Sequence, residues 1–460
     1  MNVLLQLLLD LRQRWRRRLC PGILTWIVAL PALGNWPQFR GPEASGVDVS
    51  RPLPTDWDLP SGKNVSWRSV LPGLGHAAPI VWGNTVYLAT AVRPGDADLK
   101  VGLYGDIESA NDQAPHEWRL LALDLDTGTT RWDIVAHSGV PRVKRHTKAS
   151  HCNSTPATDG SHIVAILGSE GLFCFDEQGR KRWQVDLGPM DSGYFAVPAA
   201  QWGFGSSPVI HRDQVLVQCD VQTNSYLASF RLKDGRKVWQ TERRDVPSWG
   251  SPTVVTAGGT AQIVVNGWHH IGGYRWEDGS ELWRLDGGGD IPVPTPILAQ
   301  GLIIQTSAHG RFRPFRAIRP SARGDITPSD PGATNATIAW AHPRLGNYMQ
   351  TPIAIGGLVW GCFDNGVLTC FDATSGTVKY SERLPSGQGY TGSPVSDGRH
   401  LFFTSETGQI YAVPAQDTFS IVSTNVLGET VMATPAIGRG HLLFRTRHHL
   451  VALASTPPSR

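Results

Sequence analysis

One short pattern occurs eight times along this 460-residue chain: a small residue, a proline and then an apolar run. The spacings between successive prolines are 77, 52, 44, 44, 56, 42 and 41 residues. A base period near 42 residues is typical of a four-stranded propeller blade. The spacing therefore predicts an all-β, eight-bladed β-propeller, enlarged by insertions at 91–117 and 319–338. The prolines are Pro79, Pro156, Pro208, Pro252, Pro296, Pro352, Pro394 and Pro435.

Each unit also contains the alternating apolar runs that indicate four strands. In the sixth unit these are "TPIAI", "LVWGCF", "VLTCFDA" and "TVKYSERL", joined by turns that contain Gly or Asn-Gly. Such turns need positive backbone angles, which Gly adopts readily. The sequence therefore predicts four-stranded antiparallel blades.

A second recurring feature is an aromatic residue on the last strand of most units. In five units it stands four residues after a turn glycine, as in Gly128 and Trp132. An aromatic residue that recurs in nearly every unit is expected to pack between neighbouring blades, because a catalytic motif would occur only once. The predicted blade-docking residues are Trp67, Trp132, Trp183, Trp239, Trp283, Trp340 and Tyr380.

The eighth unit ends before its fourth strand. The segment 64–71 has the form of that missing strand, with Trp67 in the aromatic place. We therefore expect it to complete the last blade and to remove an open sheet edge. The predicted organisation is a lead segment at 35–63, a propeller at 64–455 and a tail at 456–460.

The N-terminus has the order of a secretory signal peptide. A cluster of arginines at 12–18 precedes an apolar run at 20–34, and small residues stand before Asn35. This pattern predicts a signal peptide over 1–34, cleaved after Gly34, and a periplasmic or secreted protein. The apolar stretch before the arginines leaves two alternatives, a misassigned start or an uncleaved amphipathic tether to the membrane.

The net charge and the cysteine pattern argue against two classes of protein, nucleic-acid-binding proteins and disulfide-stabilised scaffolds. The formal net charge is +3 with no basic stripe, so nucleic acid is not an expected partner. Five cysteines follow the signal segment, scattered and without a C-x-x-C pair, which favours buried free thiols over a disulfide framework.

The turn-plus-tryptophan repeat, as in "ALDLDTGTTRW", resembles the pyrroloquinoline-quinone (PQQ)-type β-propeller repeat family. The lead "NWPQFRGPEASGV" is similar to secreted members from planctomycete-like bacteria. The resemblance implies an eight-bladed propeller, but members differ in function. Some are quinone-dependent alcohol dehydrogenases, and others, the BamB-like members, are non-catalytic scaffolds.

The dehydrogenases of this family use an adjacent Cys-Cys disulfide and Glu, Asn and Asp ligands around Ca²⁺. This chain has no adjacent cysteines, and its "DADL" and "DNG" segments resemble ordinary turns. We therefore expect no bound PQQ with Ca²⁺, no other cofactor, no metal site and no catalytic residue.

The connections into the first strands and the second hairpins should meet at one end of the propeller, where loops carry function on a rigid frame. Several residues there have a second interpretation. His146 and His151 could bind zinc but lack a recognised carboxylate partner, and Trp202 and Trp249 could be ligand platforms or channel plugs. The adjacent His269 and His270 would point to opposite faces of a strand. The predicted partner-binding face comprises His146, Lys148, His151, Trp202, Asp220, Trp249, Trp268, His269, His309, Tyr348, Asp364, Tyr390, Glu406 and Arg445.

These features predict a monomeric extracytoplasmic scaffold. It would hold an envelope or secreted protein, or a glycan, on one funnel face. The alternative is a divergent quinone-dependent alcohol or sugar oxidoreductase.

Overall fold

The computed structural model describes residues 34–455, except residues 96, 104, 105, 258, 311, 387 and 388. The predicted signal segment before Gly34 and the tail 456–460 lie outside the described residues. Apart from a three-residue 3₁₀ turn at Pro42–Ala44, the regular structure described is β-strand. Within this part of the chain, no helix has the length and apolar character needed to cross a membrane.

The described strands form eight separate sheets, each containing four antiparallel strands in a row, and one of the sheets has an additional strand. In the first four sheets the strands are β2 (Ile80–Trp82), β3 (Thr85–Val92), β4 (His116–Asp124) and β5 (Thr130–Gly139); β6 (Ala157–Thr158), β7 (His162–Ile166), β8 (Leu172–Asp176) and β9 (Lys181–Val185); β10 (Val209–His211), β11 (Gln214–Cys219), β12 (Tyr226–Arg231) and β13 (Lys237–Glu242); and β14 (Thr253–Ala257), β15 (Thr260–Val265), β16 (Ile271–Arg275) and β17 (Glu281–Leu285). In the last four they are β18 (Ile297–Ala299), β19 (Leu302–Thr306), β20 (Phe315–Ile318) and β22 (Ile338–His342); β23 (Ile353–Ile355), β24 (Leu358–Cys362), β25 (Val367–Asp372) and β26 (Val378–Arg383); β27 (Val395–Ser396), β28 (His400–Thr404), β29 (Gln409–Pro414) and β30 (Ser423–Val426); and β31 (Ala436–Gly438), β32 (His441–Arg445), β33 (His449–Leu453) and β1 (Val65–Val70). The predicted eight-bladed propeller is confirmed.

Closure of the ring by the N-terminal strand is also confirmed. Strand β1 pairs antiparallel with β33, and Trp67 lies opposite Ala452. Glu429 links the two closing strands, because it pairs with Arg68 on β1 and with His449 on β33.

The insertion at 319–338 covers the outer edge of the fourth blade. Its short strand β21 (Gly324–Asp325) pairs in parallel with β17, so this blade alone among those described has a fifth strand. The edge that the other blades leave open is shielded there.

The residue before each repeat proline builds a ring of hydrogen bonds around the central channel. In seven of the eight blades it carries a hydroxyl group. The backbone N–H of one blade donates to the hydroxyl of the next, at 2.9–3.1 Å, starting from Ala78. The buried members of this hydroxyl ring are Thr155, Ser207, Ser251, Thr295, Thr351, Ser393 and Thr434. The ring has its open place between Thr434 and Ala78, which has no hydroxyl.

The lead segment packs against the ring. The guanidinium of Arg40 is fully buried and donates to the carbonyls of Pro394 at 2.7 Å and Pro352 at 2.8 Å. Trp36 exchanges two backbone hydrogen bonds with Val81 in the first blade. The lead is therefore an integral part of the propeller.

The recurring tryptophans join each blade to the next one. Five of them donate the indole N–H to a backbone carbonyl of the following blade, at 2.7–3.1 Å. Their rings lie over the turn glycine of that same following blade, where a Cβ atom would approach the ring closely. The glycine and the tryptophan of one repeat thus serve opposite interfaces. The pairs are Trp67 with Gly128, Trp132 with Gly179, Trp183 with Gly235, Trp239 with Gly279, and Trp340 with Gly376.

Two aromatic residues depart from this arrangement, and both precede a blade that lacks the turn glycine. Trp283 donates to Gln262 in its own blade at 3.0 Å, and the Tyr380 hydroxyl accepts from Trp360 in its own blade at 2.7 Å. Docking between blades through the indole N–H therefore depends on the glycine of the neighbour.

A small residue on the third strand lies opposite each aromatic residue and leaves room for its ring. Cys174 faces Trp183 and Cys370 faces Tyr380, where other blades have Ala, Ser or Gly. All five described cysteines are buried and unpaired. Cys174 and Cys370 therefore act as small apolar packing residues.

The Trp–Gly contact can be tested by a pair of glycines with matching backbone angles. Gly235 has φ +71° with Trp183 against it, and Gly428 has φ +72° with nothing within 4 Å. Gly428→Ala should cost about 1 kcal/mol from the left-handed backbone alone. Gly235→Ala should cost roughly a further 1–3 kcal/mol, because the ring must move. Equal shifts of the urea midpoints for the two variants would contradict the docking role.

Closure by Glu429 predicts a specific acid sensitivity. Burial raises the pKa of Glu429. Hydrogen bonds from Thr446, His448 and Arg68 and the charge of His449 outweigh burial and lower the pKa from 4.5 to about 2. The carboxylate therefore stabilises the fold above about pH 4.5, and this contribution is lost as the pH falls toward 2.

The variant Glu429→Gln should unfold more easily than wild type at neutral pH and approach wild type in acid. Urea unfolding at several pH values measures the difference. Glu382→Gln on an exposed outer strand is the control, and a Glu429→Gln deficit that does not depend on pH would refute the interpretation.

Candidate functional site

A funnel with a cavity of about 570 Å³ opens at one end of the propeller axis. Its floor is the hydroxyl ring together with Phe39 of the lead. The residues three positions before the repeat prolines form a second tier above the floor, with one residue from each blade. These are His76, Asn153, Gly205, Trp249, Val293, Met349, Thr391 and Met432. Because side chains alternate along extended backbone, positions one and three before each proline face the same channel.

An aromatic arc follows one side of the funnel. Tyr194 stacks on Trp202 with ring centroids 5.7 Å apart, and Trp202 contacts Trp249 at 5.6 Å. On the other side of Tyr194, His309 stacks on Tyr348 at 5.5 Å. The two indole N–H groups donate to backbone carbonyls, so the arc offers ring faces to a ligand.

His309 is held in an unusual backbone conformation within this arc. Its φ is +88°, in the left-handed region that residues other than glycine rarely adopt. Its Nδ1 lies 2.6 Å from Oδ1 of Asp290, which orients the imidazole toward the funnel wall. Strain of this kind is concentrated at binding and catalytic sites.

A buried ion pair crosses the funnel wall from the second blade to the seventh. Nζ of Lys148 lies 2.8 Å and 2.9 Å from the two carboxylate oxygens of Glu406. Glu406 also accepts from the backbone N–H of Gly102, and Lys148 donates to the carbonyl of the same residue. Burial lowers the pKa of Lys148, and Glu406 opposes this effect.

The insertion at 91–117 borders the mouth of the funnel. Besides Gly102, its Asp106 carbonyl lies 2.7 Å from Nε2 of His146, and its Ile107 carbonyl accepts from Trp202. Asp106 and Ile107 themselves line the cavity. The insertion therefore connects the second and third blades to the seventh across one side of the mouth.

Seven of the fourteen predicted face residues line the funnel, namely His146, Lys148, Trp202, Trp249, His309, Tyr348 and Asp364. Burial raises the pKa of Asp364, which Arg313 opposes. Glu406 does not line the funnel itself, but its carboxylate pairs with Lys148, which does.

The other predicted face residues lie elsewhere. Asp220 is fully buried against Arg243 at 2.7 Å, and Arg445 is buried under carbonyls of Ala77 and Ala89. Tyr390 is fully buried. Trp268 and the exposed His269 stack on each other beside the fourth blade.

His151 belongs to a separate buried cluster. Its Nε2 lies 3.0 Å from Oδ1 of Asp112, and its ring centroid lies 4.8 Å from that of His116. Sequence analysis found no carboxylate beside His151, because Asp112 and His116 come from the insertion and meet it only in the fold.

Several funnel residues were missed from the sequence, notably Phe39, His76, Tyr194 and Arg313. The signal for His76 was its place three residues before Pro79. Burial and the neighbouring Arg445 lower the pKa of His76 to about 3, so its imidazole is neutral at physiological pH. Phe39 and Tyr194 lie outside the repeat and had no comparable signal.

The described side chains do not fit a calcium–quinone site. No cysteine lines the funnel, and the carboxylates among its lining residues are Asp106 and Asp364. Calcium needs six to eight oxygen ligands, and Glu406 is already engaged by Lys148.

The ion pair in the wall gives a stability prediction. Glu406→Gln removes the carboxylate that accepts two hydrogen bonds from the buried ammonium of Lys148, which should cost about 3 kcal/mol in urea unfolding. The double variant Lys148→Met/Glu406→Gln should cost less than the sum of the single variants, because it leaves no unpaired charge. Asp56→Asn, which breaks an exposed pair with Lys63, is the matched control and should have little effect. Additive single and double costs would exclude coupling.

Comparison with known proteins places the chain in a family. The family model described as outer membrane protein assembly factor BamB matches residues 51–193 and 116–382, which together span more than half of the chain. The BamB protein of Yersinia pestis is 22% identical over 348 residues, covering 68% of this chain and 79% of its own.

Solved structures share the fold. BamB from Moraxella catarrhalis superposes with a TM-score of 0.52 at 14% identity, covering 79% of this chain and 98% of its own. A europium-containing methanol dehydrogenase superposes with a TM-score of 0.60 at 13% identity, covering 92% of this chain and 90% of its own. The repeat, the eight blades and the family match lead to one conclusion: this chain belongs to the BamB family of PQQ-type β-propellers.

Proposed function

We propose that this chain is an extracytoplasmic scaffold that binds a segment of a protein partner in its funnel. The observation that carries the proposal is an apolar rim around a preformed aromatic cavity. Leu103 is 54% exposed and Ile107 47% on the insertion at 91–117, and Val197 is 37% exposed on the loop that carries the cavity-lining Tyr194 and Trp202. Exposed apolar groups beside a concave aromatic site are typical of protein interfaces.

The charges of the funnel support the same proposal. Lys148 is paired with Glu406, and His309 is paired with Asp290. These polar side chains of the wall therefore already have partners within the protein. What the wall offers to a partner is chiefly the aromatic arc and the apolar side chains of the second tier, Val293, Met349 and Met432. An apolar or aromatic side chain of a partner fits this lining better than the hydroxyl groups of a glycan.

Two further observations support the location and the kind of partner. The N-terminal pattern is that of an exported protein, and the related proteins are named as outer membrane assembly factors. A protein partner in the cell envelope is consistent with both.

The test compares four forms of the purified chain as bait in a detergent extract of the source envelope. Ile107→Asp alters the rim, Trp249→Ala removes part of the arc, and Val378→Asp alters an exposed valine on the outer strand of the sixth blade. The same partner should be recovered with wild type and Val378→Asp and reduced roughly tenfold or more with the other two. Equal recovery with all four forms would refute funnel binding.

The alternative is a quinone-dependent oxidoreductase, which the similarity to methanol dehydrogenase favours at the level of fold. Calorimetric titration of the chain with PQQ, with and without Ca²⁺, separates the two proposals. Saturable binding at micromolar concentration or below would support the oxidoreductase, and no heat of binding in either condition would exclude it.

A further inference from the structure

Three buried side chains with the chemistry of metal ligands meet beside the funnel. Asp112 and His116 stand at the end of the insertion, and His151 stands in the link to the second blade. They are 5%, 4% and 6% exposed, and one ligand atom from each lies within 4.8 Å of the other two.

The groups around this cluster orient it as outer-shell groups orient metal ligands. Nε of Arg145 donates to Oδ2 of Asp112 at 2.6 Å, which leaves Oδ1 directed at His151. Nδ1 of His116 lies 2.7 Å from the carbonyl of Ala114 and donates to it, so its Nε2 carries the free lone pair. A ligating histidine usually donates its other ring N–H to a carbonyl in this way, and a ligating carboxylate is itself hydrogen-bonded.

The identity of the donors selects the class of ion. Two imidazoles and one carboxylate suit Zn²⁺ and related transition metals, whereas Ca²⁺ and Mg²⁺ prefer oxygen ligands.

We propose that Asp112, His116 and His151 bind one Zn²⁺ ion, with water as the fourth ligand. With bonds of about 2.1 Å, tetrahedral ligand atoms lie roughly 3.4 Å apart. The Asp112–His151 pair at 3.0 Å is already near this spacing, and a pair at the 4.8 Å limit would have to close by about 1.4 Å on binding. For Nε2 of His151 to bind the metal as a neutral imidazole, the proton that it shares with Asp112 leaves Nε2 and one proton is taken up at Nδ1, so the ring stays neutral.

The ion would hold the insertion at 91–117 in place at the mouth of the funnel. Asp112 and His116 belong to the same insertion as Asp106 and Ile107, which line the cavity, and His151 belongs to the link that carries Lys148. Zinc would therefore tie the insertion to the second blade. This inference does not rest on the proposed partner, because metal binding is measured on the chain alone.

The experiment uses the purified full chain, stripped with a chelator and reloaded with ZnCl₂ or CoCl₂. We expect about one equivalent of zinc by elemental analysis after desalting, saturable calorimetric binding and the visible ligand-field bands of Co²⁺. His116→Gln should weaken binding by roughly 100-fold or more while Asp112 still pairs with Arg145. His162→Gln, which alters a surface His–Asp pair, should bind zinc as wild type does.

Two results would overturn the proposal. One is the absence of stoichiometric zinc in wild type, which would make the cluster a hydrogen-bonded network only. The other is wild-type affinity in His116→Gln, which would place any bound zinc elsewhere. Both variants are compared by thermal unfolding in excess chelator, so that affinity is interpreted only for folded protein.

Discussion

The chain of hydrogen bonds between the residues that precede the repeat prolines is the contact on which the rest of the propeller depends. In seven of the eight blades the backbone N–H donates to the hydroxyl of the next blade, so one side chain fixes the distance and the rotation between two blades. The proline that follows has no N–H and a restricted φ, which directs the first strand away from the axis. Serine or threonine before proline therefore does more than fill space, because a buried N–H without an acceptor would be costly.

The outer contacts add a second, independent link between the same blades. A tryptophan over a neighbour's glycine buries a large apolar area and satisfies the indole N–H. The seventh blade has Ser423 at the aromatic place instead. At this place the lead segment supplies the contact between blades. Ser423 donates to the carbonyl of Thr55, and Trp57 is buried against Phe444. A place that the repeat leaves empty is thus filled by irregular chain.

Much of the fold follows from the sequence, because its determinants are local and repeated. Turn glycines, alternating runs and the aromatic of β1 predict the blades and their closure without knowledge of distant contacts. The partner of each tryptophan could not be predicted, since Gly128 and Trp132 are neighbours in sequence but serve opposite interfaces. The same limit applies to the site. The Lys148–Glu406 pair joins residues from the second and seventh blades, and nothing local distinguishes Glu406 from a turn residue.

Two residue positions of each blade face the channel, and only one of them is constrained by a hydrogen bond between blades. The position before each proline carries the hydroxyl ring, and its chemistry is fixed by a hydrogen bond. The position two residues earlier faces the same channel but carries no such bond in common, and it ranges from Gly205 to Trp249 and Met432. The second tier can therefore acquire a new lining without loss of the ring. A propeller built in this way can share its fold with a BamB structure at 14% identity while the chemistry of its funnel differs. If the funnel binds the proposed partner, the second tier, the aromatic arc and the insertion are the parts that would select it, and the repeat that identifies the family would not.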